Sequence, residues 1–158
     1  MSSGKPSTPE LPVTPEASEP LGFQMRISSD PRLLAVVRHT VSEFAAIRGF
    51  ADDQCQSIAL AVDEALSNII RHAYHNRFDQ EIEIRFRADG DSLEFTFVDR
   101  GEPIDRSKFC AQPLDGAALG GRGTHLIRQI MDEVCYERTS EENRLRLKKR
   151  LAAGTSKG

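Results

Sequence analysis

The chain has 158 residues, of which 39% are hydrophobic and 28% charged, with a formal net charge of −3. This is the composition of one globular domain, and its acidity excludes a large basic face for direct nucleic-acid binding. The apolar run Ile58 to Val62, which no other run in the chain exceeds, is far short of the ~18 residues a membrane helix needs, so no membrane span is expected. Cys55, Cys110 and Cys135 are odd in number and form no C-x-x-C pair. That argues against a disulfide framework or zinc ribbon and fits a reducing cytosol. The N-terminus lacks the apolar core of a secretory signal, and a cytoplasmic protein is expected.

Residues 1–20 carry five prolines and only Leu11 and Val13 as bulky apolar residues. Such a segment buries too little surface to offset its ordering entropy, and it reads as a disordered tail. The domain is expected over 21–152, followed by a flexible tail at 153–158. Phe23, Met25 and Ile27 alternate with polar residues as a strand does. Ser29-Asp30-Pro31 then offers a cap and a proline at the first helical position. Leu33 to Arg48 has helical spacing, closed by Gly49. A second helix is predicted from Asp52 to about His75, with Cys55, Ala59, Val62, Leu66, Ile69 and Ala73 on its apolar face. Glu64, Asn68, Arg71 and His75 fall on the opposite side, where Ala61 and Ala65 leave room for something to lie.

The period then becomes two. Ile82, Ile84 and Phe86 alternate with charged residues, Asp89-Gly90 signals a hairpin, and Leu93, Phe95 and Phe97 return. Residues 100–123 form a long glycine-rich connection of a kind that is usually functional. A short helix follows over Leu126 to Met131, then strands Val134 to Arg138 and Arg144 to Leu151. The order predicts an α/β two-layer sandwich, with helices on one face of a mixed, mostly antiparallel sheet.

Three stretches carry chemistry. In Asp63-Glu64-Ala65-Leu66-Ser67-Asn68, four-residue spacing puts Glu64 and Asn68 one turn apart on one face. A carboxylate there can take a proton, and an amide oxygen can ligate Mg²⁺. Asp99-Arg100-Gly101-Glu102-Pro103 ends a strand with a carboxylate at a sharp turn. Gly120-Gly121-Arg122-Gly123-Thr124 leads into a helix whose N–H groups suit phosphate. Each alone is weak, since a solvated helix face, a plain turn and a flexible loop give the same patterns.

Their order is specific. An E-x-x-x-N helix, a strand ending D-x-G-x-P, a glycine-rich loop and G-x-G opening a helix resemble the ATP-binding domain shared by gyrase, histidine kinases and MutL, the Bergerat-type fold. Within that superfamily, V-D-E-A-L-S-N-I-I-R-H-A-Y most resembles the anti-sigma-factor serine-protein kinases of the RsbW type, over about residues 21–152. The resemblance implies ATP and Mg²⁺ as cofactors, with Glu64 as general base and Asn68 as metal ligand. It implies that Asp99 accepts a hydrogen bond from the adenine amino group and that Gly101 gives the base room, with Pro103 beside them. It further implies that Gly121 and Gly123 meet the triphosphate under a lid formed by residues 102–120; Arg122 and Thr124 beside them are nucleotide-binding candidates, although Arg122 is not a fixed feature of the family and also reads as an exposed lid arginine. The partners it implies are an anti-sigma-factor antagonist of the STAS type as protein substrate, a sigma factor, and a second copy in a homodimer. The activity is then serine/threonine phosphorylation in transcription regulation.

Two other readings compete: a non-enzymatic ATP-binding switch module, and the catalytic fragment of a two-component histidine kinase. Against the second, His39 is followed by Thr-Val-Ser rather than by an acidic residue. His72 and His75 are spaced as a metal pair without a third ligand, and a helix-end role suits them better. Cys55 and Cys135 read as core thiols. The basic strand Arg144 to Arg150 reads as an edge strand protected by charge, or as a contact for an acidic partner.

Overall fold

A computed structural model describes residues 19–105 and 122–153, with side chains from 125 onward in the second stretch. Strand β1 (Leu21–Ser28) is followed by a 3-10 turn at Pro31–Leu33, whose Asp30 cap accepts from the Arg32 backbone N–H at 2.9 Å. Helix α1 (Leu34–Ile47) ends where Gly49 adopts φ +90° and the Phe50 N–H reaches back to the Ala45 carbonyl. Glycine takes this left-handed conformation without steric cost. Helix α2 spans Asp52–Asn68, with Asp52 and Asp53 in its first turn, where negative charge complements the helix dipole.

The second helix is therefore shorter than its periodicity predicts. From Ile69 to Ala73 the chain widens into a π-helical turn, closed by the Tyr74 N–H on the Ile69 carbonyl at 3.0 Å. His75 (φ 50°) and Asn76 (φ 59°) then stop it in the left-handed region. Apolar spacing sees burial, not hydrogen-bond register, and both Ile69 and Ala73 are buried as predicted.

Strands β2 (Glu81–Asp89) and β3 (Ser92–Asp99) form the predicted hairpin, with Gly90 at φ +56°. Helix α3 (Arg122–Ile130) and strands β4 (Glu133–Arg138) and β5 (Asn143–Arg150) complete the domain. The sheet order is β1-β2-β3-β5-β4, and every pairing is antiparallel. Ile82, Ile84, Phe86, Leu93, Phe95, Phe97, Leu145 and Leu147 face the helices and are buried. Phe23, Phe44, Phe86 and Phe95 form one aromatic cluster, with Phe23 and Phe86 stacked at 4.3 Å between centroids.

Two expectations change here. Strand β5 lies inside the sheet between β3 and β4, so its charges do not protect an edge. They form ion pairs across the solvent face instead, Arg144 with Glu142 at 2.6 Å and Arg150 with Glu133. Cys55 is buried, but Cys135 is only half-buried, because its place in β4 turns it to the solvent face with Glu133 and Glu137. Cys110 lies outside the described residues. Among the described residues no helix is long and apolar enough to cross a membrane.

Candidate functional site

The π-helical turn that continues α2 meets the loop after β3 directly. Asn68 ends α2 and is buried, whereas Glu64, one turn earlier, is half-buried. Ala61 and Ala65 do not leave an open shelf: both are fully covered, because α2 packs against α1 and α3. Asn68 Oδ1 accepts a hydrogen bond from Arg71 Nη2 at 3.0 Å. That oxygen is the atom expected to ligate a cation, and a guanidinium occupies it.

The π-helical turn carries the connection onward. The Glu102 N–H donates to the Ala73 carbonyl at 2.9 Å. A Cβ added to Gly101 would sit 2.5 Å from the same carbonyl oxygen and 2.7 Å from the Ala73 Cβ. Glycine is required at 101 by this close approach of two backbones, whatever a base requires of it. His75 Nε2 lies 2.8 Å from Glu102 Oε2, which gives His75 a carboxylate partner rather than a metal. Among the described residues no three His, Cys, Asp or Glu side chains gather as a metal site. A divalent ion here would depend on Asn68 and on oxygens brought by a nucleotide.

Asp99 is 3% exposed. Its Oδ1 accepts from the Gly101 N–H at 2.9 Å and from Asn143 Nδ2 at 2.8 Å, and among the described residues both of these hydrogen bonds fall on Oδ1 and none on Oδ2. Burial pushes the Asp99 carboxyl above the usual carboxylate range, against the opposing pull of the Asn143 and Gly101 hydrogen bonds and the Arg138 charge. A buried carboxylate with one oxygen satisfied and the other available suits an amine donor, and this donor set fits an adenine amino group.

Sequence reasoning missed the residues that hold this loop. Asn143, fully buried at the start of β5, also donates to the carbonyls of Gly101 and Glu102, both at 3.2 Å. Its Oδ1 accepts from the Tyr136 hydroxyl at 2.8 Å and from Arg138 Nη1 at 2.7 Å. The chain's two tyrosines grip the loop from either end. Tyr74 Oη accepts from the Arg100 N–H at 3.0 Å and donates to the Glu81 carbonyl at 2.6 Å, and Tyr136 Oη accepts from the Ile104 N–H at 3.0 Å. Burial raises both phenols above their ordinary value, so both remain O–H donors at neutral pH. The available signal was an Asn opening a strand whose other residues alternate apolar with basic.

Pro103 lies in this loop, and Arg122, Gly123 and Thr124 form the first turn of α3. Gly121, and the expected lid from residue 106 onward, lie outside the described residues.

Residues 27–149 match the model of the histidine kinase-like ATPase domain. The serine-protein kinase RsbW of Bacillus velezensis is 30% identical over 126 residues, covering 75% of this chain and 79% of its own. The serine-protein kinase RsbW of Oceanobacillus iheyensis is 32% identical over 120 residues, covering 71% and 76%. Among solved structures, the RsbU and RsbW domains of a Mycobacterium tuberculosis protein superpose with a TM-score of 0.57 at 16% identity. That match covers 83% of this chain and 32% of the longer one. A blue-light-activated histidine kinase of Erythrobacter litoralis gives 0.51 at 22% identity, covering 75% and 61%. With the family model matched over residues 27–149 and these relatives at 30% and 32% identity, the chain belongs to the histidine kinase-like ATPase family, among the RsbW serine-protein kinases.

Proposed function

We propose that this chain binds Mg-ATP against α2, the Asp99 loop and the first turn of α3, and phosphorylates a serine or threonine of an anti-sigma-factor antagonist. The observation that carries the reading is the Asp99 carboxylate, buried and held through Oδ1, with Oδ2 left to accept from adenine. The sequence Gly121-Arg122-Gly123-Thr124, which opens α3, is the stretch assigned to the phosphates, since backbone N–H groups at a helix N-terminus suit an anion. Pro103 stiffens the loop beside the base.

Glu64 takes the proton of the substrate hydroxyl. The hydroxyl oxygen forms a bond to the γ-phosphorus, the bond to the bridging oxygen breaks, and ADP leaves. Asn68 Oδ1 is the protein ligand for Mg²⁺, which supplies neutralisation of triphosphate charge when bound. Positioning and charge neutralisation provide most of the catalysis in such transfers. The Arg71 guanidinium must leave Asn68 for the metal to enter, and a triphosphate offers it a stronger partner.

The antagonist is of the STAS type and competes with a cytoplasmic sigma factor for this kinase. The kinase acts as a homodimer through β1, one of the two outer strands of the sheet, where Leu21 and Phe23 are 43% and 42% exposed. The test is incubation with labelled ATP and antagonist proteins encoded near its own gene. Label on antagonist serine or threonine is expected. Label on a histidine of this chain would instead make it a histidine kinase fragment, and nucleotide binding without transfer would make it a switch module. Sedimentation of wild type and Leu21→Glu, which leaves the aromatic cluster intact, tests the dimer, which the variant should lose.

A further inference from the structure

The Asp99 loop is held by a set of side chains that lie outside every motif described above, and their directions are informative. A carboxamide has two nearly isosteric ends, and only its hydrogen bonds decide which end faces a neighbour. At Asn143 that decision is made from β4. The Tyr136 hydroxyl at 2.8 Å and Arg138 Nη1 at 2.7 Å both donate to Oδ1. The amide nitrogen therefore faces Asp99 Oδ1 at 2.8 Å and the carbonyls of Gly101 and Glu102. Arg138 Nη1 also donates to the Gly101 carbonyl at 3.0 Å, tying the loop to β4 a second time. Turned the other way, Asn143 would set an oxygen against a buried carboxylate and leave two donors facing its amide nitrogen.

We propose that Tyr136 and Arg138 are positioning residues for base selection. By orienting Asn143 they commit Asp99 Oδ1 to the protein and leave Oδ2 as the one acceptor presented to the ligand. The ligand class this selects is a purine with an exocyclic amine at position 6. A 6-oxo purine would place its own oxygen against the carboxylate, leaving both acceptors unpaired. The inference rests on the reading that Asp99 faces the base.

The strands explain why β4 can do this. Arg138 and Asn143 are register partners at the closed end of the β4–β5 hairpin, and Asn143 is also the partner of Asp99 across β3–β5. Arg138, Asn143 and Asp99 thus lie in one row across three strands. Tyr136, two residues before Arg138, points to the buried side and reaches Asn143 from within the core.

The test is calorimetric binding of ATP and of inosine triphosphate to wild type, Tyr136→Phe and Arg138→Met. A site built around a hydrogen bond rejects the analogue that cannot make it, so wild type should prefer ATP by on the order of 10²-fold or more. Each substitution should weaken ATP about 10-fold, as expected for a disturbed buried hydrogen-bond network. Inosine triphosphate should change by no more than about 3-fold, so the ratio of the two affinities falls. A merely structural role would weaken both ligands in parallel, and that result would overturn the inference. So would a wild-type preference that survives both substitutions. If wild type shows no preference for ATP, the assignment of Asp99 to the base fails, and this inference fails with it. Tyr136→Phe removes only a hydroxyl from the core; should it not fold, Arg138→Met, at an exposed position, carries the same comparison.

Discussion

Arg71 and Asp99 show how single residues set the state of this site. Arg71 Nη2 on Asn68 Oδ1 keeps a positive charge at the position proposed for the metal. Arg71→Ala should therefore lower the Mg²⁺ concentration needed for half-maximal ATP binding, while metal-free adenosine binding stays unchanged; equal shifts in both would mean that Arg71 only shapes the helix end. Glu64→Gln should slow phosphotransfer by about 10²–10⁴-fold, since the base acts on the transition state, with ATP affinity within about 3-fold. Single-turnover kinetics and calorimetry on that variant decide it, and unchanged turnover removes Glu64 from the chemistry. Asp99 has a stability cost that follows from its burial. Its carboxyl is pushed up on folding, so the folded state holds that proton more tightly than the unfolded state does. Its contribution to stability accordingly falls as pH rises from the ordinary carboxylate value through the raised one, and remains lower at neutral pH. Asp99→Asn, with no charge to bury, should melt higher than wild type at pH 7 and lose that advantage below about pH 3. The same variant should bind ATP far more weakly.

At the scale of elements, the π-helical turn is what joins the Glu64–Asn68 helix to the Asp99 loop. An α-helical continuation would carry Ala73 and Tyr74 to other positions relative to β3, and the Ala73 carbonyl would not meet the Glu102 N–H. Gly101→Ala tests this junction. The new methyl would lie 2.5 Å from a backbone carbonyl oxygen, which cannot rotate away as a side chain does. Overpacking of this kind should cost about 1–3 kcal/mol of stability in chemical denaturation, alongside weakened nucleotide binding. If stability is unchanged while binding falls, the glycine serves the base and not the junction. The β4–β5 hairpin is the second joining element. It brings Tyr136, Arg138 and Asn143 to a loop more than thirty residues away in the chain, which no local pattern announces.

For the whole molecule, the aromatic cluster is set back from the Asp99 loop along the sheet. Phe86 and Phe95 are register partners in the middle of the β2–β3 ladder, whereas Asp99 closes β3 at its end. Phe95 is fully buried within that cluster. Phe95→Ala should destabilise the domain by about 3–5 kcal/mol, a large part of the ~5–15 kcal/mol typical of a domain. The ATP preference over inosine triphosphate should be retained well below the melting transition. Loss of that preference while the protein remains folded would mean that the aromatic cluster and the Asp99 loop are coupled.

The residue pattern alone determined which segments are helix and which are strand, because burial periodicity is local and each period is written into consecutive residues. The Asp89-Gly90 turn and the Gly49 stop were legible for the same reason: both need a left-handed residue, and glycine takes that conformation at no steric cost. Glu64, Asn68, Asp99 and Gly101 could be singled out because their order along the chain is distinctive. Only the tertiary structure decided how those residues are supported. The widening of the helix after Asn68 leaves the apolar spacing intact, so periodicity could not register it. Placing β5 between β3 and β4 is a matter of strand pairing at long range, and it turned a supposed protected edge into the interior of the sheet. That pairing put Asn143 beside Asp99 and set Tyr136 and Arg138 behind it. Hydrogen bonds between side chains distant in sequence leave no periodic trace, and the orientation of one buried amide is visible only when all its partners are in place.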